Sequence, residues 1–134
     1  MIEPEKGTSK YKIGAQLEDL ELSENEIFEI EDREILKVYK TPEIWFFINS
    51  KTNQLDQMSL FAPFKEKVLG KVGIGDTLAD VYEAFGRCVV NHKVHEPFDY
   101  PGIGFETENG SKSKAAIIES ISVLNPYVYY GPAH

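Results

Sequence analysis

Residues Val72 to Gly86 read VGIGDTLADVYEAFG, and the fold is legible first in this stretch. Asp76 or Thr77 can accept hydrogen bonds from the free backbone N–H groups of a first helical turn, and Asp80 places a carboxylate at the positive end of the helix. A helix therefore starts here. Leu78, Val81, Tyr82 and Phe85 fall at i, i+3, i+4 and i+7 and form one apolar face about 100° wide, which must be buried against another layer. Gly86 can take the left-handed conformation that ends a helix, and Val89-Val90 begin a strand just beyond it.

Downstream, Val89 to Val94 extends as a strand, and His95 to Gly102, with Pro97, Pro101 and Gly102, reads as a loop. Ile103 to Glu106 is a short strand. Asn109 to Lys114, NGSKSK, is the plainest turn in the chain, and Ile117 to Leu124 is a strand that Asn125-Pro126 stops. The tail YVYYGPAH can pair at a sheet edge or lie loose.

Upstream, Pro63 to Gly73 is a linker carrying Lys65, Lys67 and Lys71. Ile44 to Ile48 is an aromatic strand, and Leu55 to Phe61 is its hairpin partner across the polar loop Asn49 to Gln54. Ile35 to Tyr39 alternates apolar and polar residues before Pro42. From Leu20 to Glu34 acids crowd the chain with only Arg33 in opposition, and Ile27, Phe28 and Ile30 between them predict a strand with one solvated, negative face, turning at Asp32-Arg33. Lys12 to Leu22 allows a short helical turn or an irregular segment. Residues 1–10 read as a flexible arm.

The two halves repeat. KIGAQLEDL from Lys12 matches GIGDTLADV from Gly73, Ile44 and Phe46 match Ile103 and Phe105, and Leu55 to Leu60 match Ile118 to Val123. The offset runs 61, 59 and 63, with the changes falling in loops, as a duplicated unit spanning 11–65 and 70–126 requires. In the first copy the helix is degraded, because Ala15 and Gln16 replace Asp76 and Thr77 and no glycine stands where Gly86 ends the second helix.

The pattern Ile74-Gly75-Asp76-Thr77, Asp80-Val81 and Phe85-Gly86, followed by strands, resembles the helix-plus-meander unit of the outer-membrane assembly lipoproteins of the SmpA/OmlA type. In tandem it is similar to the β-lactamase inhibitory protein. The resemblance covers both halves and implies an α+β fold with helices packed on an antiparallel sheet, and a habit of binding proteins. The chain departs from those lipoproteins in having no lipobox cysteine or signal sequence, and from the inhibitor in having no paired cysteines.

Composition narrows the function. The 134 residues are 42% hydrophobic and 12% aromatic, enough for a core in a single domain. A net charge of −8 opposes nucleic-acid binding, which needs a basic face to release counterions. Cys88 is the only cysteine, so no intrachain disulfide forms and a reducing compartment fits. The opening MIEPEKGTSKYK has no apolar core of the signal-peptide kind, and no apolar run approaches the roughly 20 residues of a membrane span, so a cytoplasmic protein is expected.

Few residues carry a chemistry. Cys88, His92 and His95 form C-x3-H-x2-H, a weak metal candidate with no fourth ligand in register, and a buried cysteine with two loop histidines is the alternative. No spacing singles out a carboxylate pair for acid–base work, so no catalytic residue and no cofactor is assigned. The Gly73-Ile74-Gly75 turn lacks the third glycine and the lysine of a phosphate loop. The acidic run is the most suggestive surface, with Glu21, Glu24, Glu26, Glu29, Glu31 and Asp32 as its docking candidates. Carboxylates interleaved with apolar side chains fit a basic partner such as the active-site cleft of a nuclease toxin, or else form a solvated strand edge that resists aggregation.

The expectation is thus an α+β domain of two related halves on one antiparallel sheet, with the helix after Asp76 packed upon it. Its function is protein binding of the immunity or inhibitor kind. The alternative is a small-ligand pocket between helix and sheet, lined by Trp45, Tyr82, Phe85 and Phe105.

Overall fold

The computed structural model describes residues 1–127. The tail beyond Tyr127, with Tyr129 and Tyr130, lies outside the described residues. The described residues form eight strands: β1 (Glu29–Arg33), β2 (Leu36–Lys40), β3 (Ile44–Asn49), β4 (Leu55–Phe61), β5 (Cys88–Asn91), β6 (Val94–Pro97), β7 (Ile103–Thr107) and β8 (Ile118–Leu124). They form one antiparallel sheet in the order β1-β2-β3-β4-β8-β7-β6-β5. Each half of the chain is a four-stranded meander, and the two meanders meet where β4 pairs with β8, from Gln57 opposite Leu124 to Phe61 opposite Ser120.

The sheet dominates, and this overturns the expected α+β balance. Against eight strands stands one α-helix of eight residues among the described residues, α1 (Leu78–Phe85). Thr77 caps α1 through its side chain, which accepts from the Asp80 amide, while the Asp80 carboxylate accepts from the Thr77 amide. Gln16 makes no such bond. In the first half the corresponding segment is therefore only a 3-10 turn, Leu17–Leu20, which ends at Glu21 in the left-handed region.

Both halves nevertheless use one hydrogen-bond scheme. The Gly14 amide donates to Leu55 O at 2.7 Å and the Gly75 amide to Ile118 O at 2.9 Å. Leu17 N donates to Asn53 O as Leu78 N donates to Ala116 O, both at 2.9 Å. Gly14 and Gly75 sit at φ of 94° and 96°, a left-handed conformation that a side chain would strain. The β3–β4 register, Ile44 opposite Leu60 and Phe46 opposite Met58, recurs in β7–β8 as Ile103 opposite Val123 and Phe105 opposite Ile121. Even the irregularity recurs, after Phe47 in β3 and after Glu106 in β7.

The core lies on the face that carries α1. Phe46, Met58, Leu60, Phe105, Ile121 and Val123 pack there against Leu78, Val81 and Phe85. The other face has no helix among the described residues. It carries a smaller apolar cluster of Leu36, Val38 and Phe47 beside the half-buried Trp45, and past the central seam it turns polar with Ser120 and Ser122.

Three local expectations are corrected. The segment 95–102 is not all loop: a tight turn with His92 in the left-handed region reverses the chain, and β6 pairs with β5 through Val90 opposite His95. The turn expected at Asp32-Arg33 falls instead at Glu34-Ile35, since Arg33 still pairs with Leu36. The N-terminal arm is packed and not frayed. Ile2 is fully buried, bridges Val68 in parallel, and exchanges backbone bonds with Lys67 O at 3.0 Å and Leu69 N at 2.8 Å. The Glu66 carboxylate ties down Ser9 and the terminal amine. An isolated isoleucine in a polar run carries no periodicity, which hid its role from pattern reading.

Truncating that anchor leaves a cavity as well as losing transfer energy. Ile2→Ala is expected to cost about 2–5 kcal/mol, read as a lower urea midpoint with an unchanged slope. A loss under about 0.5 kcal/mol would show that the arm is not part of the core.

Candidate functional site

The acidic run divides into two populations. Glu29 and Glu31 are alternate residues of β1 and share the helix-free face with Lys40 of β2. The Lys40 ammonium reaches Glu29 at 3.2 Å and Glu31 at 2.9 Å, and Arg33 bonds the other oxygen of Glu31. Lys40 also lies 4.2 Å from the centroid of the Trp45 ring, and the Arg33 guanidinium 5.6 Å from that of Phe47. The hydrogen bonds from Arg33 and then Lys40 hold Glu31 down to about 2, and those same carboxylates, Glu31 first, raise Lys40. Glu29 and Glu31 therefore serve the protein's own cations, which roof the Leu36, Val38 and Phe47 cluster.

The rest of the run is free. Glu21, Glu24 and Glu26 are exposed and none forms an ion pair among the described residues; Asp32 is exposed and accepts a hydrogen bond from the Glu34 amide at 3.1 Å. Beside them Phe28 and Ile30 are 60% and 53% exposed. β1 is an edge strand, and the segment that could have covered it is the 3-10 turn and not a full helix. Glu24, Ile27, Phe28, Glu29 and Ile30 line a shallow depression there.

A deeper cleft of about 350 Å³ opens next to this patch, at the end of the core under the β2–β3 turn. Its apolar wall includes Tyr11, Leu22, Ile44, Phe46 and Phe64, and its mouth carries Ser23, Glu26, Thr41 and Glu43. Tyr11 meets Phe46 edge-on, with centroids 4.9 Å apart. Each carboxylate rises from a fixed turn. The Glu26 amide donates to Ser23 O at 3.0 Å, and the Thr41 hydroxyl donates to Ile44 O at 2.7 Å while the Ile44 amide donates back to it at 3.3 Å. Neither Glu26 nor Glu43 has an ion-pair partner among the described residues. Residues 11, 26, 43 and 64 share no motif, so sequence spacing gave no signal of this cleft.

The pocket expected from Trp45, Tyr82, Phe85 and Phe105 does not form. Phe85 and Phe105 are buried and stacked at 5.8 Å, filling the space between helix and sheet, while Trp45 lies on the opposite face. The Cys88, His92 and His95 set is divided as well. Cys88 and His95 occupy the core face of β5 and β6, and His92 is exposed at the hairpin turn. Among the described residues no three His, Cys, Asp or Glu side chains are grouped to hold a metal ion. Burial raises the Cys88 thiol and so disfavours its thiolate form in the free protein.

A scan against protein-family models finds no match, and a search of curated proteins finds none either. Among solved structures, the chain is similar to a cysteine-rich secretory protein from Staphylococcus aureus subsp. aureus Mu50, with a TM-score of 0.54 and 11% identity. The match covers 84% of this chain and 42% of that one, so this chain spans less than half of that protein's length. At this identity the likeness is one of fold. No helix among the described residues is long and apolar enough to cross a membrane.

His95 gives the core a titratable centre. It is 2% exposed, its Nδ1 lies 3.5 Å from the Tyr82 hydroxyl, and Lys114 sits 3.5 Å above the Tyr82 ring. Burial first, and then the Lys112 and Lys114 charges, lower its pKa. The unfolded chain consequently binds this proton more readily than the folded one, so the stability due to neutral His95 is present above about pH 6.5 and is lost as pH falls toward the lowered folded value. Urea midpoints measured from pH 7.5 to 5 are expected to fall, with His95→Gln flattening that part of the profile. An unchanged profile in His95→Gln would assign the pH dependence elsewhere.

Proposed function

We propose that the chain is a non-catalytic protein-binding module of the immunity or inhibitor kind, docking a basic partner through the acidic and apolar surface at the β1 edge. The observation that carries this reading is the exposure of Phe28 and Ile30 next to Glu24 and Glu26, carboxylates that form no ion pair among the described residues. Exposed large apolar side chains ringed by one sign of charge favour association with a complementary surface. An open strand edge adds unpaired backbone groups for a partner to bond.

Glu21, Glu24, Glu26 and Asp32 supply the steering charge, while Glu29 and Glu31 hold Lys40 and Arg33 over Trp45 and Phe47. Burial of the Cys88 thiol disfavours a cysteine nucleophile, which supports a binding role over that kind of catalysis.

Once a partner has been captured and purified, its association rate at low and high salt tests the reading. The double variant Glu24→Lys/Glu26→Lys is expected to slow association about tenfold at low salt, and the difference should shrink at high salt. Glu29→Lys/Glu31→Lys should instead lower stability by repelling Lys40 and Arg33. A partner that associates with the first variant as fast as with the native chain would refute docking at this surface.

A further inference from the structure

We infer that the cleft bounded by Tyr11, Phe46 and Phe64 is a receptor for one alkyl cation, the side chain of a lysine or arginine of the basic partner. This inference rests on the proposed docking surface and names the point at which it recognises the partner. Glu26, which lines the cleft, stands two residues before Phe28, so the cleft and the edge depression are built on one segment.

Three properties of the cleft select this occupant. Its wall is apolar and aromatic, which suits the methylene stem of a long cationic side chain. Its mouth offers two carboxylates, Glu26 and Glu43, that have no ion pair among the described residues, together with the Thr41 and Ser23 hydroxyls as acceptors. A bare anionic substrate would be repelled there, and a neutral apolar ligand would leave both carboxylates at the rim without a counter-charge. The ring of Tyr11 already draws a cation: the Lys10 ammonium lies 5.2 Å from its centroid.

The site is also preformed. Glu26 and Glu43 stand on hydrogen-bonded turns, and Phe46 is 1% exposed in the core, so the floor does not have to be ordered on binding. Glu26 and Glu43 are themselves exposed, so replacing them leaves the core untouched.

The test needs no partner. The native chain is titrated with n-butylguanidinium and n-butylammonium, with neutral n-butylurea as the control, while backbone amide shifts are followed by NMR. Saturable shifts are expected at Tyr11, Ser23, Glu26, Glu43 and Phe64 for at least one of the two cations. Butylurea should bind at least fivefold more weakly, and Glu26→Gln/Glu43→Gln should weaken the cation at least fivefold without changing the urea midpoint. Equal binding of cation and butylurea, shifts that scatter over the surface without saturating, or an unaffected double variant would overturn the inference. Any of these results, combined with slowed partner association in Glu24→Lys/Glu26→Lys, would reject the cleft while leaving the docking surface in place. Saturable cation binding in a protein whose partner associates with Glu24→Lys/Glu26→Lys as fast as with the native chain would leave a cation-binding cleft but overturn both the docking surface and the cleft's part in recognising the partner.

Discussion

The pairing of β4 with β8 is the contact on which the rest of this structure depends. Each meander is one apolar-faced layer, and neither copy has enough helix to cover that face alone. Joining them edge to edge removes two open edges at once and places Met58, Leu60, Ile121 and Val123, all fully buried, in the middle of one sheet. Around this seam helix α1 and the N-terminal arm close the core. At roughly 25 cal/mol per Å² of apolar surface buried, the centre of the sheet carries most of the stabilisation, and the ends carry little.

That gradient produces the candidate site. The seam consumes two edges and leaves the outermost strands, β1 and β5, at the ends of the sheet. On the β5 side, α1 reaches across to place Tyr82 against His95. On the β1 side the corresponding segment stops after one 3-10 turn, and Phe28 and Ile30 stay exposed. The loss of one capping pair, Thr77 and Asp80 in the second copy against Gln16 and Asp19 in the first, thus frees an apolar edge within an acidic segment. An exposed edge of this kind invites self-association, and the charges of Glu24, Glu26 and Asp32 oppose it while favouring a basic partner.

The parts legible in sequence were those with a local physical code. The cap, the apolar stripe and Gly86 specified α1, and the aromatic run of Ile44 to Ile48 and the β-branched and apolar content of Leu55–Phe61 and Ile118–Leu124 specified β3, β4 and β8. The match of the two halves placed Ile44 with Ile103 and Phe46 with Phe105, and these pairs hold equivalent registers in the structure. The resemblance implied helices packed on the sheet, whereas the degraded first cap leaves only a 3-10 turn at Leu17–Leu20. The hairpin from β5 to β6 was missed because His92 supplies the left-handed turn position where Gly or Asn is the usual signal. For the site, the acidic segment was legible as composition, but its division was not. Lys40 lies eleven residues from Glu29 in sequence and meets it only through the β1–β2 register, and the cleft draws its walls from four separate segments.

The central claim is that a sheet locked at its middle presents a preformed docking edge at its end. Amide hydrogen exchange on the free protein addresses it most directly. Met58, Leu60, Ile121 and Val123 should exchange only through global unfolding, with the lowest rates in the chain, while amides of β1 open orders of magnitude faster by local fluctuation. Exchange of β4 and β8 as fast as that of β1 would mean that the halves part before the edge does, and would contradict the account.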